Sequence, residues 1–196
     1  MSSSDLEVEP RLSPSEGLAL LSLARATVVA TVQGAHPSPL DLASVPGRLR
    51  DPGASFVTLL RSGALRGCLG SLNAERALAE DVRQHSIAVC ASDYRFPPVG
   101  PDEIPELGVE IAVLGPTRRL HYQNPEELAG RLRPGIDGVL LQSGARRATF
   151  LPKVWERVPS PEEFLGLLCR KAGLDDNLWR RELLEISIYS VEIFQE

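Results

Sequence analysis

The sequence predicts an α+β fold made of antiparallel hairpins covered by helices. Two segments have the alternation and Ser-Gly turns of β-hairpins, four segments carry helix-capping signals, and strands do not alternate strictly with helices. We therefore expect a largely antiparallel or mixed sheet with helices packed on it. A length of 196 residues suits one domain or two closely associated subdomains.

The N-terminal third is expected to hold a tail, a helix and a loop. Residues 1–12 are predicted to be a disordered tail. A capping box from Ser13 to Glu16 begins an amphipathic helix of about five turns. The segment 34–54 carries four prolines, which favours a surface loop over regular structure.

A hairpin follows, with the pair 62–63 as its two-residue turn. This turn predicts that Leu59 pairs with Arg66 and that Val57 pairs with Cys68. Arg66 and Cys68 would then be neighbours on the face away from the core. The predicted core face is the more uniformly apolar one, with Phe56, Thr58, Leu60, Leu65, Gly67 and Leu69.

The remaining elements are predicted from caps and alternation. They are a helix at 74–90, a strand at 108–114, a short helix opening at Asn124, a hairpin around 143–144, a helix from Ser160 to Gly173 and a strand at 185–194. Segments 59–66 and 140–147 share six of eight residues, and a helix follows each hairpin. This pattern suggests a duplicated β-β-α unit that would match Cys68 with Thr149. Chance recurrence of Ser-Gly turns is the alternative.

Composition and charge narrow the class of protein. The chain is 43% hydrophobic and 24% charged, as is usual for a globular protein. A net charge of −5 argues against general adhesion to nucleic acid. Nineteen of the 21 basic residues are Arg, which grips carboxylates and phosphates through two hydrogen bonds. A compositional bias of the source genome would produce the same excess.

Targeting and metal signals are missing from the sequence. The N-terminal residues lack the basic and apolar regions of a signal peptide, and no apolar run reaches the length of a membrane span. The three cysteines are widely spaced, with no ligand pattern around them. No spacing typical of a phosphate loop or dinucleotide site occurs. We therefore expect a cytoplasmic protein without membrane contact, disulfide, metal or cofactor.

Five motifs stand in a fixed order along the chain: LRGCLG at 65–70, DYRFPP at 93–98, PGIDG at 134–138, FLPKVW at 150–155 and PEEFLGLLCRKAGL at 161–174. In this order they resemble the AMMECR-domain family, called AmmeMemoRadiSam system protein A in bacteria. The resemblance implies one α+β domain over residues 13–196, made of two subdomains with a cleft between them. The sequence departs from the family pattern at Tyr94, where the family has Pro, and at Lys153, where it has Gln.

The LRGC motif supplies the candidate catalytic residues. Cys68 is a candidate nucleophile or redox thiol, because a neighbouring cation such as Arg66 favours the reactive thiolate. Gly67 and Gly70 would let a ligand or a second backbone approach closely. No histidine stands at a spacing that supplies a base, so a packing role for Cys68 is the alternative.

The DYRFPP motif supplies candidate ligand-binding residues. Its prolines fix the segment that presents Arg95, and Asp93 and Phe96 stand beside it. A small anionic ligand is the expected partner of this arginine. Asp137 is the candidate from the second half of the chain. A structural ion pair between Asp93 and Arg95, and a simple turn at Asp137, are the alternatives.

Three functions follow from the residues and the resemblance, and they leave open whether the protein is an enzyme. The first is an adaptor or substrate-binding component that acts with a Memo-like protein and a radical SAM enzyme in a modification pathway, as the family's genomic association implies. The second is an enzyme with Cys68 as a reactive thiol in an arginine-lined cleft for an anionic substrate. The third is an RNA-binding factor, which the acidic charge disfavours.

Overall fold

The computed structural model describes residues 12–35, 37 and 39–196. It confirms the α+β class, since the described residues form α-helices and two sheets. The chain divides into two compact units, the first running to Leu114 and including Glu192–Glu196, the second spanning Gly115–Val191. The predicted tail lies outside the described residues except for Leu12, whose amide donates to the Glu192 carboxylate at 3.3 Å.

The described residues form four α-helices, which begin at the capping signals or close to them. They are α1 (Pro14–Val32), α2 (Leu78–Val89), α3 (Pro125–Arg131) and α4 (Pro161–Lys171). The capping box of α1 is present, with Glu16 and Ser13 exchanging hydrogen bonds. The prediction for α2 was four residues too long at its start, because residues 76–77 pair with Pro52 and Gly53 as a short strand.

In the described part of the chain, the two sheets contain nine strands: β1 (Pro52–Arg61), β2 (Ala64–Gly70), β3 (Arg76–Ala77), β4 (Leu107–Leu114), β5 (Arg118–Arg119), β6 (Gly138–Ser143), β7 (Arg146–Phe150), β8 (Glu185–Tyr189) and β9 (Val191–Gln195). The first sheet has the order β2-β1-β4-β9, with β3 beside β1, and the second has the order β5-β8-β6-β7. The single strand predicted at 185–194 was wrong. Ser190 separates β8 from β9, which belong to different sheets.

The β1–β2 hairpin has the predicted turn but a different register. Ser62 and Gly63 form the turn with positive φ angles of 49° and 80°. A bulge then shifts the pairing, so that Leu59 lies opposite Gly67 and Cys68 lies opposite Thr58. The pairs predicted past the bulge, Leu59 with Arg66 and Val57 with Cys68, were wrong, because one extra residue in β2 changes which positions of the two strands share a face.

The core face of the hairpin therefore differs from the prediction. Val57 and Leu59 are fully buried in the core and Leu69 packs against it, whereas Thr58 lies on the opposite side with Cys68. The predicted core face was right for Gly67 and Leu69 of β2, and it was wrong for β1 and for Leu65, which is exposed. Because side chains alternate from Gly67 to Leu69, beyond the bulge, the thiol of Cys68 still points away from the core.

Each unit has its own hydrophobic core. In the first unit α1 and α2 bury apolar side chains such as Leu20 and Val82 against the sheet. Among the described helices, α1 alone has the length and composition to cross a membrane, and its inner side is part of this core. In the second unit the stacked rings of Trp155 and Phe164, 3.7 Å apart at their centroids, lie in the core.

The two hairpins agree in order of elements but not residue by residue. Each places its second strand at an edge of its sheet and precedes a helix. In β6–β7, however, Ser143 pairs with Arg146. When the sequences of the two hairpins are aligned, the turn of β6–β7 therefore lies one residue later than the turn of β1–β2. Thr149 consequently lies opposite Leu140. Cys68 and Thr149, which the sequence alignment matched, therefore do not occupy equivalent positions in the two hairpins.

Candidate functional site

The edge of β2 is closed by the segment 93–98 at the position of Cys68. The Cys68 amide donates to Asp93 Oδ2 at 2.9 Å, and the Cys68 carbonyl accepts from Arg95 Nη2 at 3.2 Å. An edge strand presents unpaired backbone groups that proteins commonly cover. Here an ion pair takes the place of a neighbouring strand, and it holds the backbone of Cys68 by both polar groups.

Asp93 and Arg95 form a bidentate ion pair. The guanidinium donates from Nε at 2.8 Å and from Nη2 at 2.6 Å, and the Asp93 side chain is only 3% exposed. These hydrogen bonds hold the pKa of Asp93 well below its ordinary value, although burial opposes the shift. The same pairing raises the pKa of Arg95. Both groups are therefore charged at neutral pH.

Arg66 is held in the same way by Glu103, a residue that sequence reasoning missed. Its Nε and Nη2 donate to the two Glu103 oxygens at 2.6 and 2.8 Å, and Nη2 also donates to the Pro98 carbonyl at 3.3 Å. Hydrogen bonding to Arg66 lowers the pKa of Glu103 to about 2. The sequence signal that could have indicated Glu103 is a helix-start pattern, in which a glutamate accepts a hydrogen bond from the amide three residues before it. Glu103 accepts from the Gly100 amide in this way, at 2.8 Å.

Phe96 connects the two ion pairs. The guanidinium carbons of Arg66 and Arg95 lie 5.9 and 5.6 Å from the centre of its ring, within cation–π range. The side chains thus follow one another as Glu103, Arg66, Phe96, Arg95 and Asp93, a series that we call the ion-pair chain. Each arginine expected to attract an anionic ligand already holds a carboxylate.

The two glycines of the motif serve close packing within the first unit. A Cβ atom on Gly67 would lie 3.1 Å from a methyl group of Val89 and 3.3 Å from its carbonyl oxygen. A Cβ atom on Gly70 would overlap the Ser55 carbonyl and the ring of Phe56. Packing of the chain against itself therefore accounts for both glycines.

The thiol of Cys68 belongs to a row of polar side chains across three strands. Thr58 Oγ1 donates to Cys68 Sγ at 3.3 Å. Thr58 also pairs with Glu110 on β4, and these two residues are 9% and 6% exposed. We call Cys68, Thr58 and Glu110 the thiol row. The incorrect hairpin register concealed it, although a glutamate within the apolar strand at 108–114 was a visible signal.

The other two thiols lie in buried positions. Cys90 and Cys169 are buried, whereas Cys68 is partly exposed. Burial raises the pKa of Cys90 to about 11 and also raises the pKa of Cys169. Within the described part of the chain, no three His, Cys, Asp or Glu side chains are grouped as a metal site requires. His36 lies outside that part.

Asp137, the candidate from the second half, belongs to the second unit. Its carboxylate accepts from the Arg133 amide at 2.8 Å and from Arg133 Nη2 at 2.6 Å. Its carbonyl accepts from the indole nitrogen of Trp155 at 2.8 Å. These bonds close the turn before β6 and tie it to the core of the second unit, which is a structural role.

Comparison with known proteins identifies the family. The family model described as AMMECR1 matches residues 21–194. The chain belongs to the AMMECR1 family. The AMMECR-domain membership predicted from the five motifs is thus confirmed.

AMMECR1 relatives match the chain over nearly its whole length. A protein of Thermofilum pendens is 35% identical, covering 95% of this chain and 92% of its own. A protein of Methanothermobacter thermautotrophicus is 32% identical, covering 94% and 96%. The crystal structure of an uncharacterised protein from Pyrococcus horikoshii is 32% identical, with a TM-score of 0.86 and coverage of 94% and 93%. These likenesses establish family and fold and name no reaction.

Proposed function

We propose that this AMMECR1-family protein is a cytoplasmic adaptor or substrate-binding component that docks partner proteins through the loop at residues 93–98. The partners proposed are a Memo-like protein and a radical SAM enzyme. Tyr94 carries the proposal, because this residue is 96% exposed although the residues on either side of it are held in an ion pair.

The loop that presents Tyr94 is fixed before any partner arrives. Asp93 and Arg95 are joined by the bidentate pair, and Phe96 lies beside two guanidinium groups. A preorganised loop loses little conformational freedom on binding. Exposed tyrosines are also among the residues that contribute most to protein interfaces. A large aromatic ring on a fixed loop therefore favours docking.

The surroundings of the loop favour a partner with a basic surface. Leu65, next to Arg66, is also exposed, and the exposed acid Asp102 lies on the 3-10 turn Pro101–Glu106. The first unit contains 16 acidic and 9 basic residues. Charge complementarity speeds association and selects partners. The complementary partner offers an apolar pocket for Tyr94 within a positively charged rim.

The ion-pair chain weighs against the two other functions. Arg66 and Arg95 are each engaged by a carboxylate, so binding an anionic substrate or an RNA phosphate there requires breaking an existing pair. The adaptor function makes no such demand, since the pairs only need to hold the loop in place.

Calorimetric titration with each purified partner tests the proposal. Tyr94→Ala is expected to weaken binding at least tenfold, because truncation of a central aromatic residue commonly costs about 2 kcal/mol or more. Leu183→Ala is the matched control, since it removes an exposed apolar side chain from the second unit and is expected to bind like the wild type. Unchanged affinity of Tyr94→Ala would exclude docking at this loop, and failure of the wild type to bind either partner would exclude the adaptor function.

A further inference from the structure

We propose that the outer face of α1 binds a second copy of this chain. The two copies form an antiparallel helix pair in which Leu18 of each copy enters a groove beside Ala26 of the other. This inference goes beyond the docking function at residues 93–98 and does not depend on it. It is carried by an exposed apolar side chain, a groove on the same helix and the charge of the first unit.

The helix α1 is apolar on its exposed side as well as on its buried side, whereas a surface helix is ordinarily polar on the side away from the core. Its inner side is part of the first core, yet Leu18 on the outer side is 65% exposed. The 19 residues of α1 include two charged ones, Glu16 and Arg25. Glu16 accepts from the Arg48 amide at 2.9 Å, and Arg25 donates to the Leu107 carbonyl at 2.6 Å. The exposed side of α1 therefore offers an uncharged surface.

A groove of about 280 Å³ lies beside the C-terminal half of α1. The residues that line it come from α1, from α2 and from the segment between α1 and β1, and they include Leu23, Ala26, Ala30, Leu40, Asp41 and Arg83. Asp41 and Arg83 have opposite charges, so these two residues leave the groove without net charge. Sites for small molecules commonly measure about 300–1,000 Å³. The groove is below that range and suits one inserted apolar side chain.

The spacing of Leu18 and Ala26 makes this face complementary to itself. Each residue of an α-helix rises about 1.5 Å and turns by about 100°, so the two residues lie about 6 Å to either side of Ser22 and are rotated equally from it. A two-fold axis through Ser22 therefore places Leu18 of one copy over Ala26 of the other. Ser22 and Ala26 are exposed, and their short side chains leave room for the leucine. Helices commonly pack through such i, i+4 rows.

The charge of the first unit favours a second copy over the other occupants of an apolar face. The unit contains 16 acidic and 9 basic residues, so it repels an anionic lipid surface. A basic partner gains no electrostatic attraction from an uncharged face and is drawn to the acidic surfaces instead. Two acidic copies also repel each other, and an uncharged face brings them together with the least added repulsion. Self-complementary shape and missing charge thus both fit the chain itself.

Sedimentation velocity of the full chain tests the proposal, because it separates a monomer of 21.3 kDa from a dimer of twice that mass. Leu18→Glu and Ala26→Lys are each expected to weaken dimerisation about tenfold or more, since each places a charge in the apolar contact on both sides of the two-fold axis. Leu183→Glu, at an exposed leucine of the second unit, is the matched control expected to dimerise like the wild type. Tyr94→Ala is also expected to dimerise like the wild type, which separates this face from docking.

The double variant Leu18→Glu/Ala26→Lys is the sharpest test. It places a carboxylate of one copy opposite an ammonium group of the other, and it is expected to dimerise more tightly than either single variant. Positions 18 and 26 are about 12 Å apart along one helix, beyond the reach of a pair within one chain, so the recovery has to come from contact between copies. Glutamate and lysine are good helix formers. The reversed pair, Leu18→Lys with Ala26→Glu, gives the same test if one of these variants does not fold.

Several results would overturn the proposal. They are a wild type that stays monomeric at about 1 mM, single variants that dimerise like the wild type, or a double variant that dimerises no better than the single ones. Added NaCl is expected to strengthen the wild-type dimer by screening the repulsion between acidic copies, and a dimer that weakens in salt would overturn the uncharged interface. A monomer that instead sediments with phosphatidylcholine vesicles would assign the face to lipid and overturn the second copy.

Discussion

Replacement of Asp93 by Asn perturbs the ion-pair chain at its most buried carboxylate. Asp93 accepts from the Cys68 amide and from three nitrogens of Arg95, its amide, Nε and Nη2. Asparagine keeps one acceptor oxygen and turns an NH₂ group towards these donors. The Arg95 charge then lacks its partner, and one hydrogen bond at the edge of β2 is lost.

The expected loss of stability follows from the burial of the pair. Breaking a buried ion pair costs about 3–5 kcal/mol. The Arg95 side chain is 43% exposed, so solvent takes over part of its interaction. We therefore expect Asp93→Asn to lower the free energy of unfolding by about 2–3 kcal/mol. For a chain of this length that corresponds to a fall in Tm of about 4–12 °C.

Urea unfolding at several pH values checks this prediction. The pKa of Asp93 is lowered in the folded protein, so its stabilisation is present above the unfolded value of about 3.9 and declines as the pH falls below it. The difference between wild type and Asp93→Asn should therefore be full at pH 7 and smaller at pH 3. Asp175→Asn, at an exposed ion pair with Arg181, is the control expected to behave like the wild type. If Asp93→Asn and Asp175→Asn unfold at the same urea concentration at pH 7, the ion-pair chain is not what holds this edge.

Two further variants test the neighbouring residues. Glu103, whose pKa is lowered to about 2 by Arg66, stabilises the fold above about pH 4.3, and this contribution is lost as the pH falls towards 2. The difference in the free energy of unfolding between the wild type and Glu103→Gln should therefore shrink as the pH is lowered, with unfolding followed by circular dichroism. A constant difference from pH 7 to pH 2 would contradict the pairing. Gly70→Ala should destabilise by about 1–3 kcal/mol because its methyl group overlaps Ser55 and Phe56. Gly130→Ala, where the methyl meets open space in α3, should not destabilise in the same thermal scan, and equal Tm values for the two variants would refute the close approach at Gly70.

Local signals in the sequence predicted the helices better than the pairing of strands. The Ser13 capping box is complete within four residues, so α1 begins where it was predicted. The register of β1 and β2 depends on where one extra residue is accommodated around Arg66, and alternation alone does not reveal a bulge. The division of 185–194 into β8 and β9 depends on which sheet each half joins, which is a tertiary property.

The candidate site shows the same division between local and long-range information. Arg66, Cys68, Arg95 and Phe96 were named from two motifs, and the first unit brings them together. Glu103, the partner of Arg66, was missed because it lies 37 positions from Arg66 in the chain, outside both motifs. The thiol row was missed because it required the correct register across three strands.

Hydrogen–deuterium exchange of the protein with and without each proposed partner tests the central claim most directly, because it locates the docking surface without any mutation. Addition of the Memo-like protein or the radical SAM enzyme should slow exchange of the backbone amides at residues 93–96, since Pro97 and Pro98 carry no amide hydrogen. The same experiment on Tyr94→Ala, at partner concentrations that saturate the wild type, should show much less protection. Complex formation that leaves the amides at 93–96 unprotected, while protecting another surface, would contradict docking through Tyr94.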